Sequence, residues 1–558
     1  MNSTNDSNYK KYYPDMSYDS IVAQTTDKFL SGMTPDNHPP YKKLASDLVI
    51  KTREDLDFYN SMKGTRYSLP RTLNASQIVK VLLKTQHVVN VDTVGDDKNG
   101  EFKLPAIYQD YGDYEGIYSC AESHFRIPIR QLDPNINNTK MKSVLEAIAD
   151  EAPTVQLTRD KDLVAVKNGV FDCDKNKLLD FSHEYIFLSK IPVAYNPNAL
   201  NVVIHNDEDG TDWDVESWME SLSDDTDIVN LLWEVTSAAV RPNVRWDRII
   251  WLSGASGNNG KGSFSRLLRN LIGNTAVSIS LKQFSKEFGL ESMIGSNAII
   301  VDEVSVNDYI DDVENLKSAA TGDIISINRK HKPIVNYRYS GIILFNVNCP
   351  PRFRDKTGSM YRRLLVIPME HCFTGKERKY IKDDYLNRTE VLEYVLYRSL
   401  ISYCYELSEP DRCVKALADF KEYNDQILQF MTEMLPQLVW DLVPFSFLYS
   451  LYKSWFKMNN PSGIITRQYE FITSVIDNLQ YFPQWFTQGR DVCCRPKNLM
   501  DKKEYLIAEY DLRDWMNPVY SGPDINKTCS PKLRQNYRGI LRVQPIGTDP
   551  DDSVESEK

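Results

Sequence analysis

The sequence predicts an α/β fold whose centre is a parallel sheet flanked by helices. The main indication is residues 248–271, in which the apolar run 249–252 leads into a loop rich in Gly and Asn, and an amphipathic helix follows near Gly262. A second apolar run, residues 296–305, contains two adjacent carboxylates near its end. If both runs are strands of one parallel sheet, loop and carboxylates emerge at the same edge, where ligands bind in open α/β sheets.

The length and composition indicate a soluble protein of several domains. The chain has 558 residues, 42% of them hydrophobic, which is enough to bury several cores. No apolar run approaches the roughly 20 residues that span a bilayer, and the first residues contain no apolar signal core. We therefore expect a cytoplasmic protein with no membrane partner. The nine cysteines include no C-x-x-C pair, which argues against zinc sites and disulfides.

The net charge of −11, from 66 basic and 77 acidic side chains, does not by itself favour a nucleic-acid partner. It does not exclude one, because binding depends on local basic surface, and a ring can keep an acidic exterior around a positive channel. Whether the protein binds nucleic acid must therefore be judged from its motifs.

Changes of composition along the chain predict five segments. Residues 1–65 are polar and are expected to form a flexible arm with one or two helices. Residues 66–220 are of mixed α/β character, and residues 221–424 contain the nucleotide-binding core. Residues 425–520 carry aromatics at helical spacing, which predicts a packed core. Residues 521–558 are expected to form a polar, partly disordered tail.

The Gly- and Asn-rich loop is typical of a site for a polyphosphate. Gly257 and Gly260 lack a Cβ, so successive backbone N–H groups can point at one anion, and the following helix adds partial positive charge. Lys261 supplies a full charge. The pattern therefore predicts a nucleotide phosphate site.

The loop departs from G-x-x-x-x-G-K-[ST] at two positions. Ala255 stands in place of a glycine and Gly262 in place of a hydroxyl, so the nearest hydroxyl for a magnesium ion is Ser263, one place late. The alternative is a Gly/Asn-rich turn without a ligand. The predicted nucleotide-binding residues are Gly257, Asn258, Asn259, Gly260, Lys261, Gly262 and Ser263.

Asp302 and Glu303 are the carboxylates near the end of the second apolar run. Asp302 is expected to bind Mg²⁺ between the β- and γ-phosphates, and Glu303 to orient and polarise the attacking water. The alternative is a pair of ordinary exposed charges at the end of a strand.

Residues 324–339 alternate enough to predict two strands around a cationic tip. The tip contains Arg329, Lys330, His331 and Lys332. Lys330, His331 and Lys332 are predicted to bind the phosphates of a DNA strand. The alternative is a solvated hairpin tip with no partner.

Two further positions are candidates for nucleotide hydrolysis. The run SGIILFNVN ends in Asn346 and Asn348, and a polar residue there can hold the attacking water or sense the γ-phosphate. Arg362 and Arg363 precede another apolar run, and an arginine there can reach the γ-phosphate of a neighbouring subunit. A surface salt bridge is the alternative for both arginines.

The order of these motifs resembles the superfamily 3 helicase domain of phage, plasmid and poxvirus primase-helicases and of the replication initiators of mobile genetic islands. The resemblance covers roughly residues 160–515. It includes VAVKNGVFD and IFLSKIPVAYNP before the core, and FLYSLYKSWFK and TRQYEFITSVI after it, which look like the family's C-terminal winged-helix region.

The resemblance implies an AAA+ ATPase that forms a hexameric ring and moves 3′ to 5′ on single-stranded DNA, in a bacterial host cell. It implies ATP and Mg²⁺ as cofactors and, for an initiator, origin duplex DNA as a further partner. It assigns phosphate and metal contacts to Lys261 and Ser263, the metal and catalytic carboxylates to Asp302 and Glu303, the sensor to Asn348, the trans-acting finger to Arg363, and DNA contacts to Lys330 and His331.

Two other functions are compatible with parts of the sequence. A regulatory or packaging ATPase would bind DNA without unwinding it. A small-molecule ligase or kinase is compatible with NGKGS, which also occurs in the phosphate loops of such enzymes, but it would not need the basic hairpin.

Overall fold

The computed structural model describes residues 15–95, 104–254, 257–304, 309–310, 312–330, 332–353, 358–402, 404–459 and 465–543. The chain divides into two compact units, an N-terminal unit, Met1–Leu417, and a C-terminal unit, Ala418–Lys558. Within these described ranges, no helix combines the length and apolar character needed to cross a bilayer.

The helices are, in chain order, α1 Tyr18–Phe29, α2 Tyr41–Lys63, α3 Ala75–Thr85, α4 Glu122–Leu132, α5 Asn138–Glu151, α6 Val215–Glu220, α7 Thr226–Val240, α8 Lys261–Ile272, α9 Glu314–Thr321, α10 Gly358–Tyr361, α11 Lys379–Asp383, α12 Thr389–Ile401, α13 Asp411–Asn424, α14 Gln426–Met434, α15 Phe445–Asn459, α16 Gln468–Asn478, α17 Leu506–Glu509 and α18 Ile525–Thr528.

The strands are β1 Val88–Asp92, β2 Leu104–Tyr108, β3 Tyr118–Ser119, β4 Thr154–Gln156, β5 Leu163–Val166, β6 Gly169–Asp172, β7 Lys177–Leu179, β8 Ile204–Asn206, β9 Thr211–Trp213, β10 Ile249–Ser253, β11 Ala276–Val277, β12 Ala298–Val301, β13 Tyr309–Ile310, β14 Ile324–Arg329, β15 Lys332–Arg338, β16 Ile342–Val347, β17 Arg352–Phe353, β18 Leu364–Pro368, β19 Leu442–Pro444, β20 Trp485–Phe486 and β21 Gly539–Arg542.

The N-terminal part of the first unit is a helical layer on a small sheet. The sheet has the order β3-β2-β1-β4, with β1 antiparallel to β2 and parallel to β4. Helix α3 begins after Asn74, whose side chain forms a capping box with Gln77. Helices α2 and α3 share one buried core through Leu44, Leu48 and Ile78. The boundary expected at residue 65 therefore runs through a continuous core.

The centre of the N-terminal unit is a five-stranded sheet with the order β11-β12-β16-β10-β18. All of its pairings are parallel. The three middle strands are buried almost throughout. Strands that are nearly continuous apolar runs favour a parallel sheet covered on both faces. The predicted parallel sheet is present, and strand β16, which is buried along its whole length, lies between β10 and β12.

The predicted basic hairpin is also present. Strands β14 and β15 pair antiparallel, and Arg329 opposite Lys332 closes the ladder. His331 lies outside the described residues. The strand β15 is fastened to the end of β1, because the Thr93 hydroxyl donates to the carbonyl of Asn336 and the backbone N–H of Arg338 donates to the carbonyl of Thr93.

The C-terminal unit contains α14, β19, α15, α16, β20 and β21, with the sheet order β19-β21-β20. Tyr452, Trp455 and Phe471 are buried, as their helical spacing predicts, whereas Tyr469 is 70% exposed. The predicted tail begins too early, since β21 is the central strand of this sheet and buries Ile540. One short apolar run among polar residues was too weak a signal for a strand.

Candidate active site

The loop after β10 has the backbone conformation that its glycine permits. Asn258 and Gly260 have φ of +54° and +85°, in the left-handed region. A Cβ on Gly260 would lie 2.6 Å from Cδ2 of Leu222, which is too close. Both the positive φ and this lack of space therefore disfavour any residue with a side chain at position 260. Ala255 and Ser256 lie outside the described residues. The tight turn brings Lys261 to the first position of α8.

Lys261 is a buried cation. Only 4% of its surface is exposed, and its Nζ donates to the carbonyl oxygen of Gly254 at 2.7 Å. Burial lowers the pKa of Lys261 to about 8, because desolvation disfavours the ammonium form. An anion placed against this group would stabilise its charge. The surroundings of Lys261 therefore favour a phosphate ligand.

The loop is braced by the segment that follows β18. The Asn258 amide donates to Oε1 of Glu377 at 2.8 Å, and the backbone N–H of Phe373 donates to the carbonyl of Asn258 at 2.8 Å. These two bonds hold the outer turn of the loop at both its side chain and its main chain.

A cavity of about 630 Å³ opens beside this loop. Loop residues Asn258 and Ser263 form one wall, the aromatic side chains of Trp218 and Phe373 form others, and the cationic helix α11 closes a side. A Cβ added to Gly262 would lie 3.4 Å from Nζ of Lys382 on that helix. The ammonium group of Lys382 thus lies beside the start of α8.

The predicted carboxylates lie at the same edge of the sheet as the loop. Asp302 follows β12 directly and is exposed, as is Glu303. The guanidinium of Arg269 on α8 forms an ion pair with Oδ2 of Asp302 at 3.2 Å and donates to the carbonyl of Ile300. The ion pair holds Asp302 towards the helix that carries Lys261.

The two asparagines of β16 have different surroundings. Asn346 is buried, accepts a hydrogen bond from Oγ of Ser265 at 3.0 Å, and has a buried Nδ2 without a partner in the described structure. Asn348 follows the end of the strand and is exposed. Of the two, Asn348 is therefore free to face a ligand at this edge, whereas Asn346 ties the strand to α8.

Arg363 lies at the opposite edge of the same sheet. It precedes β18, and its carbonyl accepts from the backbone N–H of Ile249 at the start of β10. Its Nη1 donates to Oγ of Ser359 at 2.9 Å. A strand of this length separates the edges by about 15 Å, at roughly 3.3 Å per residue. Arg363 is therefore not brought to the phosphate loop of its own chain.

At the hairpin tip, Lys330 is exposed, and Nζ of Lys332 lies 3.5 Å from Oε1 of Glu291. Arg329 donates to the carbonyl of Pro333 at 3.0 Å, and burial lowers its pKa. Lys330 is thus more open to a partner than its two described neighbours.

Three family models match separate segments of the chain. The model described as "D5 N terminal like" matches residues 124–225, the "Family of unknown function (DUF5906)" matches residues 252–363, and the model described as "Poxvirus D5 protein-like" matches residues 422–485. The two D5-type matches lie before and after the parallel sheet in the sequence and cover less than half of the chain. They support the coarser part of the resemblance, a likeness to primase-helicases of the D5 type.

Matches among solved structures include the A form apo structure of the NrS-1 C terminal region, at 15% sequence identity and a TM-score of 0.42, covering 84% of this chain and 99% of that chain. A further apo structure of the NrS-1 C terminal region matches at 14% identity and a TM-score of 0.41, covering 77% of this chain and 98% of that chain. No match is found among curated proteins.

Sequence reasoning missed three residues of this candidate site. Ser265 and Arg269 follow Lys261 at four-residue spacing, and residues at this spacing share one face of a helix. That spacing is a local signal that would have found both. No local pattern could have identified Lys382. Helix α11 is short and lies far from the loop in the sequence, and only the folded structure brings the two together.

Proposed function

We propose that the chain is an ATP-dependent DNA helicase of superfamily 3 with an AAA+ core, acting as a hexameric ring in the replication of a phage, plasmid or mobile genetic island. The observation that supports this most is the sheet order β11-β12-β16-β10-β18. In this order β12, β16 and β10 end at one edge, so the groups assigned to metal and water, to the γ-phosphate sensor and to the phosphates emerge side by side.

In this proposal the triphosphate binds at the Lys261 loop and the nucleoside occupies the adjacent cavity. A volume of about 630 Å³ suits a ligand of this size, since such pockets measure about 300–1,000 Å³. Lys261 and Lys382 would neutralise phosphate charge from two directions. Backbone N–H groups at residues 257–263 would add donors at the start of α8.

The oxygen donors at this edge also fit a magnesium ion. Asp302 offers a carboxylate that is 63% exposed in its side chain, and Ser263 offers a hydroxyl, both hard ligands of the kind that Mg²⁺ prefers. When bound, the ion neutralises charge on the β- and γ-phosphates. Arg269 positions Asp302, Glu303 orients the attacking water and accepts its proton, and Asn348 senses the γ-phosphate.

The position of Arg363 supports shared active sites. At about 15 Å from its own loop edge, this arginine would serve the γ-phosphate of an adjacent copy, as an arginine finger does. Such sharing requires an oligomer, and a closed ring gives every copy one neighbour on each side.

The DNA contacts are assigned to two regions. Lys330, His331 and Lys332 at the hairpin tip would bind the phosphates of a single strand. Apart from the four-residue helices α17 and α18 between β20 and β21, the order from α14 to β21 is helix, strand, helix, helix, strand, strand, which supports a winged helix and, for an initiator, contact with origin duplex.

Strand displacement from a forked DNA substrate tests the proposal. The native chain should release the labelled strand only with ATP, and more readily when the single-stranded tail is 3′. Lys330→Ala should retain ATP binding but lose DNA-stimulated turnover, whereas Lys142→Ala, which removes an exposed lysine on α5, should behave as the native chain. DNA-stimulated turnover without displacement would favour a regulatory or packaging ATPase instead.

A further inference from the structure

A second cationic site lies away from the phosphate loop, where the base of the hairpin meets the segment after β4. A cavity of about 60 Å³ is lined there by Arg159, Tyr337, Arg338, Asn243 and Ser340. Arg338 is the last residue of β15, and Arg159 follows β4 by three residues. The fold thus brings two arginines from distant parts of the N-terminal unit to one cavity.

The guanidinium of Arg338 has no partner among the residues that the structure describes. Its Nε is buried without a hydrogen bond, and no hydrogen bond or ion pair joins its guanidinium to any residue that the structure describes. An unsatisfied buried donor costs about 1–3 kcal/mol, and more when it is charged. A cation in this position is therefore expected to have a partner of opposite charge outside the chain.

Arg159 adds a second charge with spare donors. Its Nη2 donates to the carbonyl of Thr93 at 2.6 Å, but its Nε is buried without a partner. Burial lowers the pKa of Arg159, and the nearby charge of Arg338 acts in the same direction. Two like charges at one cavity repel each other, so the protein alone does not balance this pair.

A carboxylate that attracts the charge of Arg159 accepts hydrogen bonds from backbone groups. Asp92, at the end of β1, accepts from the backbone N–H groups of Val94 and Gly95. It contributes an attraction to the charge of Arg159, yet within the described ranges no ion pair joins Asp92 to either arginine. The balance of charge at the cavity therefore stays positive.

We infer that Arg159 and Arg338 form a binding site for a phosphate group. Guanidinium groups donate in the paired geometry that matches phosphate oxygens. The cavity volume of about 60 Å³ is several times the roughly 10–15 Å³ that a single water molecule needs, so a group of the size of a phosphate can enter it. The phosphate is supplied by the backbone of a nucleic acid or by free phosphate. The site goes beyond the proposed function, since neither ATP hydrolysis nor unwinding requires it.

Thermal unfolding of the full chain tests the site without any assay of activity. Lys261→Ala serves as the background, so that phosphate at the nucleotide loop does not contribute. Its Tm should rise by about 1–3 °C in phosphate relative to chloride of equal ionic strength, because a bound anion stabilises the folded state. Adding Arg338→Gln should remove this rise. In phosphate-free buffer it should not lower Tm, because the lost guanidinium has no partner among the described residues.

Arg130→Gln is the matched control. It removes an exposed arginine from α4 in the same unit and should leave the phosphate-dependent rise in place. If Arg338→Gln does not fold, Arg338→Lys, which keeps the charge but not the paired donors, should retain less than half of the rise.

Binding of an oligo-dT to the otherwise native chain distinguishes the two sources of phosphate. If the ligand is a phosphodiester, Arg338→Gln should weaken binding and reduce the slope of log K against log salt by about 1. An unchanged slope, with the Tm effect present, identifies free phosphate as the ligand. If neither the Tm rise nor the salt slope differs between Arg338→Gln and Arg130→Gln, the inference is wrong, and this result would leave the ATPase proposal untouched.

Discussion

The two edges of the five-stranded sheet are built in different ways. Where β10, β12 and β16 end, the backbone turns sharply at Gly260 and leaves exposed side chains, among them Asp302 and Glu303, around a buried lysine. Where β18 begins, Arg363 is held by side-chain and main-chain bonds to Ser359. We call the first edge the receiving edge, since it is open around a buried lysine, whereas at the second edge the side chain of Arg363 is held in place.

In the proposed function, this difference means that each chain carries both halves of a catalytic site and that two copies are needed to complete one. The edges are about 15 Å apart, as estimated from the length of a strand. Neither edge can complete the other within the same copy, so the comparison predicts two classes of variant, one that damages its own site and one that damages the site of a neighbour.

The largest effect is expected at the receiving edge. Lys261→Ala should reduce ATP turnover by about 10³-fold or more, because the buried charge that faces the phosphates is lost. Turnover is measured by phosphate release at saturating ATP, with circular dichroism as the control for folding. Normal turnover in this variant would exclude a nucleotide site at the loop.

The next largest effect is expected at the opposite edge. Arg363→Ala should lower turnover by about 10³-fold, the lower range found for arginine fingers. Mixing Arg363→Ala chains with Glu303→Gln chains should restore part of the activity, because some interfaces then combine an intact finger with an intact carboxylate. If activity stays absent at every mixing ratio, Arg363 does not act on a neighbouring copy.

Replacing Lys382 is expected to have a smaller effect on the binding of ATP. This variant compares the two lysines at the receiving edge, Lys261 and Lys382. Lys382→Ala should raise the Kd for ATP by about tenfold, the equivalent of one charged hydrogen bond. Its effect on kcat should be smaller than that of Lys261→Ala. Lys379→Ala, on the same helix, is the matched control. An equal loss in both variants would show a general charge effect of α11.

The smallest effect is a dependence of nucleotide affinity on pH. The pKa of Lys261 is lowered to about 8, so this lysine is charged below that pH and increasingly neutral above it. Phosphate favours the charged form, so binding takes up a proton at high pH. The Kd should be constant below about pH 7. Well above pH 8 it should increase by up to tenfold for each pH unit, because the neutral lysine binds phosphate less tightly. Fluorescent ADP titrations measure it, and a flat profile up to about pH 9.5 would contradict the assignment.

The local parts of this fold could be predicted from the sequence. Gly260 and Lys261 stand between an apolar run and an amphipathic helix, and residues 324–339 alternate, so the loop, α8 and the hairpin follow from neighbouring residues. Ser265 and Arg269 could also have been predicted, because they follow Lys261 at intervals of four residues and so lie on the same face of α8.

The remaining parts depend on contacts between distant segments. The insertion of β16 between β10 and β12 is decided by which strands pack best in the middle of the sheet, and no residue pattern within one strand encodes this choice. Lys382 and Arg338 are equally inaccessible to a local pattern, since each gains its role from the residues that the fold places beside it.

The attachment of β15 to Thr93 has a mechanical consequence. If the hairpin were displaced by the rise of one β-strand residue, about 3.3 Å, both hydrogen bonds at Thr93 would break unless the end of β1 moved with it. The small N-terminal sheet would therefore resist any displacement of the hairpin, and Thr93→Ala, which removes the hydroxyl hydrogen bond but no charge, would weaken that resistance.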